Sequence, residues 1–254
     1  MPTPPYRYFE INTGRENIRC KLYAAGPAPE RVIVFGHGFA GHMDNAACEK
    51  FADRVVSKHK DAAVLAFNWP CHGNDVKKKL TLEDCDTYLA AVIRHARETM
   101  QVQELCAYGT SFGGYLMLKY IQDHGTPFRR LALRCPAVNM YESLTGRIIR
   151  SDEMERLQKG KSVPVGFDRK IEVDRGFLEA LRAADVRELS FLDFADDLLI
   201  VHGEADEVIP FEESKRFAED NVIEFVPVPR ADHRFRDPKA LEAADKAVLA
   251  FLGL

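Results

Sequence analysis

Ser111 lies in a glycine-rich turn that could present its hydroxyl for nucleophilic attack. The segment 109–114 reads GTSFGG and directly follows the apolar run 105–108, which predicts a buried strand. Gly109 and Gly113 permit a sharp strand-to-helix bend, because side chains at those positions would collide with neighbouring backbone. A serine hydroxyl is a weak nucleophile until a base removes its proton, so this turn needs a partner base. Similar strings occur in ordinary turns, and the position after a strand makes this one informative.

A base and an acid that orients it are expected on loops after later strands. His233 follows the strand predicted at 222–228, and Asp206 follows the strand predicted at 198–201. The chain order is then nucleophile, acid, base. Other carboxylates on these loops are Glu204, Glu207 and Asp232. Asp232 adjoins His233, and adjacent side chains seldom face each other, so we predict Asp206 as the acid and His233 as the base.

Two backbone amides are predicted to hold the negative oxygen of a tetrahedral intermediate, forming an oxyanion hole. One belongs to Phe112, the residue after the candidate nucleophile. The other is placed at Phe39, in the loop 36–42 (GHGFAGH) that follows the apolar strand predicted at 32–35.

The same loop allows a rival hypothesis, a dinucleotide site. Gly36, Gly38 and Gly41 form G-x-G-x-x-G after a strand and before a helix. Such a site also needs an acid at the end of the next strand to bind the ribose, and Asn68 stands there instead. Asp61 precedes that strand, so its side chain could not reach the ribose. The sequence therefore favours a loop that serves hydrolysis over a dinucleotide site, and it predicts no cofactor.

Two pairs of potential metal ligands occur near these loops. His37 and His42 lie five residues apart, and Cys71 adjoins His72. Neither pair has a familiar ligand spacing. We expect loop-stabilising histidines, a thiol at the edge of the core, and no metal site.

Strands and helices alternate along the chain and must position these loops. A hairpin of strands at 6–11 and 18–24 opens the sequence. Continuous apolar strands separated by amphipathic helices then indicate an α/β fold, with a mostly parallel sheet covered on both faces. After the hairpin, strands are predicted at 32–35, 62–67, 105–108, 131–133, 198–201 and 222–228.

The rhythm breaks between about 139 and 195, where charges of both signs are frequent. Within this segment 162–166 and 170–173 flank the turn 167–169 and predict a short hairpin. We expect one domain over 1–254 with this segment as a lid, because ligands bind at the carboxyl edge of a parallel sheet. The alternative is a surface excursion without a role in binding.

Composition excludes several classes of function. The 254 residues include 46% hydrophobic ones, and 35 basic against 39 acidic residues give a net charge of −4. No basic field exists to attract nucleic acid or an anionic membrane. Six cysteines without C-x-x-C spacing, no apolar run of membrane-spanning length and no signal peptide predict a cytoplasmic protein. The oligomeric state stays open.

With these motifs in order, the chain resembles the α/β-hydrolase superfamily over nearly its full length. The loop 68–75 (NWPCHGND) also looks like the superfamily's D-x-x-G-H-G-x-S loop. It departs from that pattern at Asn68, Cys71 and Asp75, which leaves its hydrogen bonding open. The resemblance implies an eight-stranded sheet and no cofactor.

The small insertion and the G-E-x-D loop resemble, more narrowly, serine esterases of the cinnamoyl and feruloyl esterase type and their monoacylglycerol-lipase-like relatives. This resemblance implies hydrolysis of a small-molecule carboxylic ester through an acyl-serine. A thioesterase or peptidase on the same triad is the alternative enzyme. A non-catalytic binding protein on a hydrolase scaffold is the alternative from another class.

Overall fold

An eight-stranded, mostly parallel sheet lies at the centre of the protein. The computed structural model describes residues 4–166 and 169–254. Its strands are β1 (Tyr6–Asn12), β2 (Asn17–Ala24), β3 (Arg31–Gly36), β4 (Ala62–Phe67), β5 (Glu104–Thr110), β6 (Leu131–Arg134), β7 (Val163–Val165), β8 (Ile171–Val173), β9 (Leu198–Gly203) and β10 (Glu224–Val228).

The order across the large sheet is β1-β2-β4-β3-β5-β6-β9-β10. β2 pairs antiparallel with β1 and β4, and the remaining neighbours are parallel. The predicted opening hairpin and mostly parallel sheet are confirmed. Because β3, β5, β9 and β10 all run in one direction, the loops at their carboxyl ends meet at one edge of the sheet.

Helices cover both faces of the sheet, as predicted. The α-helices are α1 (Ala46–Lys58), α2 (Leu82–Arg94), α3 (Phe112–His124), α4 (Met140–Ser143), α5 (Ser151–Gln158), α6 (Arg175–Ala183), α7 (Phe211–Asp220) and α8 (Pro238–Leu252). Buried residues of α1 and α8 form the core on one face, and those of α2, α3 and α7 contribute to the core on the other. Short π-helical turns occur at His95–Thr99 and Leu144–Ile148, and 3₁₀ turns at Val186–Glu188 and Leu192–Asp197.

The last strand begins two residues later than the sequence predicts. Val222 has φ of 56° and is 72% exposed, and β10 starts at Glu224. The chain leaves α7 through a tight turn in which the Val222 amide donates to the Glu219 carbonyl and the Ile223 amide to that of Ala218. Val222, a β-branched residue that favours a strand by its type, therefore lies in the turn that ends α7.

The segment between β6 and β9 contains three α-helices and the predicted hairpin, formed by β7 and β8 in antiparallel pairing. The predicted turn of this hairpin includes residues 167 and 168, which lie outside the described residues. Tyr115 of α3 donates its hydroxyl to the Ala184 carbonyl at 2.9 Å. Phe177 of α6 packs edge-on against Phe112, with ring centroids 6.4 Å apart. The segment thus packs against the amino-terminal half of α3.

No helix within residues 4–166 and 169–254 is long and apolar enough to span a bilayer.

Candidate active site

Ser111 stands at the junction of β5 and α3 in a backbone conformation that costs free energy. Its φ of 52° and ψ of −117° lie outside the backbone regions that residues other than glycine favour. Such a conformation is kept only where the surrounding structure holds it. Its amide donates to the Arg134 carbonyl at 3.0 Å, and its carbonyl accepts from the Ala137 and Tyr115 amides at 3.2 and 3.1 Å. These three hydrogen bonds fix the turn.

Glycines are needed around this turn because other backbone comes too close. A Cβ added at Gly113 would lie 2.4 Å from the Gly36 carbonyl oxygen, and one at Gly109 would lie 2.8 Å from Gly114 Cα. A Cβ at Gly38 would lie 3.2 Å from Ser111 Cβ. The loop after β3 therefore lies directly against the candidate nucleophile.

Replacing Gly113 by Ala is expected to destabilise the protein strongly. The new methyl group would meet two backbone carbonyl groups that cannot rotate away, so we expect the free energy of unfolding to fall by about 3 kcal/mol. Urea unfolding measures this. Gly146→Ala is the matched control, because nothing lies within 4 Å of its added Cβ. Equal losses for the two variants would contradict the steric explanation.

Ser111, His233 and Asp206 are brought together from three loops. His233 Nε2 lies 3.0 Å from Ser111 Oγ, and His233 Nδ1 lies 2.7 Å from Asp206 Oδ2. A carboxylate only accepts hydrogen bonds, so it selects the tautomer that carries its proton on Nδ1. Nε2 is then free to accept the serine proton. The arrangement can perform general-base activation of a hydroxyl.

The Asp206 side chain is fully buried and accepts several hydrogen bonds. Its Oδ1 accepts the amides of Val208 and Ile209 at 2.8 and 2.7 Å, while Oδ2 lies 3.2 Å from His202 Nε2. Burial alone would raise the pKa of this carboxyl, but the hydrogen bonds from His202 and His233 outweigh it and hold the pKa well below its ordinary value. Asp206 therefore stays ionised beside His233.

Sequence reasoning missed His202. It is the last residue but one of β9, it is completely buried, and its Nε2 lies 3.2 Å from the Ile209 carbonyl oxygen. One ring nitrogen can donate to this carbonyl and to Asp206, which ties the acid loop to the strand. Its position four residues before Asp206 was a visible signal, since a histidine at a strand end close to an acid is a candidate partner for it.

The three competing carboxylates have other surroundings. Glu207 accepts the backbone amide of His233 at 3.2 Å, and Asp232 accepts the amide of Arg236 at 2.9 Å. Glu204 is exposed. Among the described side chains, Asp206 is the carboxylate that contacts the His233 ring.

Of the two amides predicted to bind an oxyanion, that of Phe39 lies in the loop after β3 and that of Phe112 is the first of α3, directly after Ser111. Their rings pack edge-on with centroids 5.7 Å apart. Within the described ranges, neither amide donates to another protein group. Two unpaired donors beside a hydroxyl can receive an oxygen that becomes negative.

Two of the unusual residues in the neighbouring loop 68–75, Asn68 and Asp75, form hydrogen bonds that hold it. Asn68 Oδ1 accepts the Met43 amide at 2.9 Å, and Asp75 accepts the Cys71 amide at 2.9 Å and the Tyr88 hydroxyl at 2.8 Å. The substituted residues thus brace the loop themselves.

His37, in the loop after β3, and His72, in the loop 68–75, are both buried. Trp69 Nε1 donates to the His37 carbonyl at 2.9 Å. Burial lowers the pKa of both imidazoles, that of His72 to about 4. Both rings are therefore neutral near pH 7 and act as loop supports.

A cavity of about 560 Å³ opens beside Ser111. It reaches from the loop after β3 to the start of α1 and to His233. Residues 139–195 contribute Ile148 and Arg169 to its lining, and β6 contributes Arg134. A cavity of this size can hold a small organic molecule.

The sequence profile of the prolyl oligopeptidase family matches residues 65–253, which is most of the chain. The chain belongs to the prolyl oligopeptidase family. No curated protein matches this sequence.

Solved structures share the fold of this prolyl oligopeptidase family member. Est1E from Butyrivibrio proteoclasticus with bound ferulic acid has a TM-score of 0.75 at 21% identity, covering 97% of this chain and 100% of Est1E. Alpha/beta hydrolase domain-containing protein 10 from mouse has 0.71 at 14%, covering 97% and 98%. The esterase domain of a Rhodothermus marinus protein has 0.68 at 16%, covering 97% of each. The α/β-hydrolase resemblance is confirmed, and the protein is a hydrolase of the α/β serine hydrolase type.

An ion pair with a buried carboxylate joins α8 to α1 in this family member. Asp245 Oδ2, on α8, accepts a hydrogen bond from Arg54 Nε at 3.1 Å. Asp245 Oδ1 has no hydrogen-bond partner among the described residues. Burial raises the pKa of the Asp245 carboxyl to about 6, although Arg134 and Arg54 oppose the shift.

Stability should therefore depend on pH through Asp245. Because its pKa is raised on folding, the folded state holds a proton that the unfolded state has lost between about pH 4 and pH 6. The free energy of unfolding should fall by about 2–3 kcal/mol from this group as pH rises through that window. Denaturant unfolding of native protein and Asp245→Asn at pH 4, 5, 6 and 7 measures the difference. Identical pH slopes for the two proteins would refute this assignment.

Proposed function

We propose that the protein hydrolyses carboxylic esters through an acyl-serine intermediate. Ser111 is the nucleophile, His233 the general base and Asp206 the acid that orients it. The observation that carries this proposal is the unbroken hydrogen-bonded chain from Asp206 through His233 to Ser111. The strained backbone of Ser111 adds support, because strain of this kind is concentrated at functional sites.

In the first half of the reaction, His233 Nε2 takes the Ser111 proton while Oγ attacks the ester carbonyl carbon. The carbonyl oxygen becomes negative and accepts hydrogen bonds from the Phe39 and Phe112 amides, each worth on the order of 3 kcal/mol in the barrier. Asp206 stabilises the imidazolium that forms. The tetrahedral intermediate then collapses, the carbon–oxygen bond to the alcohol breaks, and His233 protonates the departing alcohol.

In the second half, water replaces the alcohol. His233 removes a proton from the water as its oxygen attacks the acyl-serine carbonyl. Collapse of the second tetrahedral intermediate releases the carboxylic acid, and the proton returns to Ser111 Oγ. One base therefore serves both steps, and the residues named need no cofactor for this chemistry.

We also propose that residues 139–195 form a lid on a single domain. The β7–β8 hairpin comes close to the loop after β3, since a Cβ added at Gly166 would lie 2.9 Å from Ala40 Cβ. Ile148 and Arg169 line the cavity. A segment in this position would shape the acyl or alcohol pocket.

A peptidase is the second candidate, because the family to which the chain belongs is named for an oligopeptidase. Ester cleavage is placed first because the structural relatives include an esterase domain and Est1E with ferulic acid, a carboxylic acid such as an esterase releases. Thioesterase activity would use the same groups. A cytoplasmic location is part of the proposal, since all six cysteines are free thiols.

The test is a matched panel of ester, thioester and amide substrates with one acyl group. Short-chain, long-chain and hydroxycinnamoyl esters extend the ester arm. We expect ester turnover to exceed amide turnover and a fluorophosphonate to add mass at Ser111. Faster amide turnover would make the protein a peptidase. Unlabelled Ser111 and no turnover in any arm would support a non-catalytic binding protein.

A further inference from the structure

Arg134 is a buried cation with unused hydrogen-bonding capacity. It is 7% exposed, and its Nη1 has no hydrogen-bond partner among the described residues. Its guanidinium carbon lies 5.1 Å from the centroid of the Phe235 ring and 5.9 Å from that of the Tyr108 ring. Asp245 is near enough to affect it electrostatically but is already bound by Arg54. A buried charge is costly unless a partner compensates it.

Arg134 lines the cavity beside Ser111, and the backbones of the two residues are hydrogen-bonded to each other. Its carbonyl oxygen accepts the Ser111 amide at 3.0 Å. The guanidinium and the candidate nucleophile therefore extend from adjacent points of one sheet edge. Because Arg134 and Ser111 line the same cavity, one ligand can contact both.

The rest of the cavity lining is also positive. Arg169 contributes its charge to this lining. Arg169 is exposed, and its charge helps burial to lower the pKa of His42. Among the described lining residues the carboxylate is Asp44, which is paired with Lys21 at 3.0 Å and accepts a hydrogen bond from the Tyr8 hydroxyl at 2.7 Å. The cavity is thus positive in a protein whose net charge is −4.

We propose that the substrate is an anionic ester whose carboxylate is bound by Arg134. This inference rests on the proposed ester hydrolysis and names its substrate class. A guanidinium presents parallel N–H donors that match a carboxylate, and the dry surroundings strengthen that pairing. Arg169 at the rim attracts the same charge. The hydrolysed bond is the ester of the same molecule, so the carboxylate itself is unchanged by the reaction.

Two pairs of synthetic esters test the proposal. Mono-4-nitrophenyl adipate and 4-nitrophenyl hexanoate share leaving group and acyl length, and differ in the terminal carboxylate. The esters 4-carboxyphenyl acetate and 4-carbamoylphenyl acetate place the charge on the leaving group instead. We expect kcat/KM to favour the charged ester by about 10- to 100-fold in one of the pairs, as for a hydrogen bond to a charged group. A ratio at or below one in both pairs would overturn the proposal.

Variants locate the effect. In Arg134→Met the ratio of charged to neutral ester should fall toward one, and Arg134→Lys should retain part of it. The ratio cancels any general loss of activity. If Arg134→Met does not fold, Arg169→Gln on the exposed rim should still lower the ratio. Arg156→Gln removes the same charge from an exposed position of α5 that is not among the residues lining the cavity, and should leave the ratio unchanged. Equal ratios in native protein and both cavity variants would count against the site.

Binding to Ser111→Ala separates this inference from the proposed function. Calorimetry should give a dissociation constant for the adipate ester at least about 10-fold below that for the hexanoate. Tighter binding of the charged ester without turnover by native protein would retain the anion site and refute the esterase. Turnover of both esters at Ser111 without a preference for charge, in turnover or binding, would retain the esterase and refute the anion site.

Discussion

Ser111→Ala should lower kcat/KM for ester hydrolysis by about 10⁶. The variant keeps the turn but removes the oxygen that forms the acyl bond, so His233 has no proton to accept. Loss of the nucleophile alone costs almost as much as loss of the whole set, because serine, histidine and acid act as a unit. The residual rate would come from the Phe39 and Phe112 amides and from binding.

The measurement is steady-state hydrolysis of a 4-nitrophenyl ester together with intact-protein mass after fluorophosphonate treatment. Ser190→Ala is the control, because Ser190 is exposed and is not among the residues lining the cavity beside Ser111. The probe should label native protein and the Ser190 variant equally and leave the Ser111 variant unlabelled. Turnover by Ser111→Ala equal to that of native protein would refute the nucleophile and favour a binding protein.

Asp206→Asn should lower kcat by about 10⁴ with little change in fold. An asparagine side chain can still accept the Val208 and Ile209 amides through its oxygen. Its amide nitrogen would then face His233 Nδ1 and would donate to it. His233 would carry its proton on Nε2, where it can no longer accept the proton of Ser111.

Asp232→Asn is the matched control for this variant. Asp232 adjoins His233 in sequence, but it caps the Arg236 amide and pairs with the Arg236 guanidinium at 3.2 Å. We expect less than about a threefold change in kcat for Asp232→Asn. Comparable losses in both variants would show that charge near the loop, and not orientation of the imidazole, supports catalysis. Thermal unfolding of both variants checks that neither effect comes from misfolding.

Much of the fold is predictable because its signals are local. The apolar run of β4 is buried along all six residues, and Thr81 caps α2 by accepting the Asp84 amide at 3.0 Å. Both features are visible within a few residues of sequence. The start of β10 was predicted wrongly at Val222, since β-branched residues also occur in turns that tertiary contacts impose.

The residues of the site also fall into those that the sequence identifies and those that it does not. The candidate residues Ser111, Asp206 and His233 were identifiable from loops that follow strands. His202 and Arg134 were not identified, although both stand near strand ends. The four-residue spacing of His202 and Asp206 is a signal that can be read from the sequence, but nothing in the sequence shows that Arg134 lines the cavity with an unused donor.

The sequence by itself determined the alternation of strands and helices, the strand-to-helix turn at Ser111, and the chain order of the candidate nucleophile, acid and base. These depend on periodicity and on turn residues close together in the chain. Only the tertiary structure decided which carboxylate meets His233 and what charge the cavity presents. His233 lies 122 residues from Ser111 and 27 from Asp206. Contacts over such separations follow from strand order and side-chain direction, which no local pattern encodes.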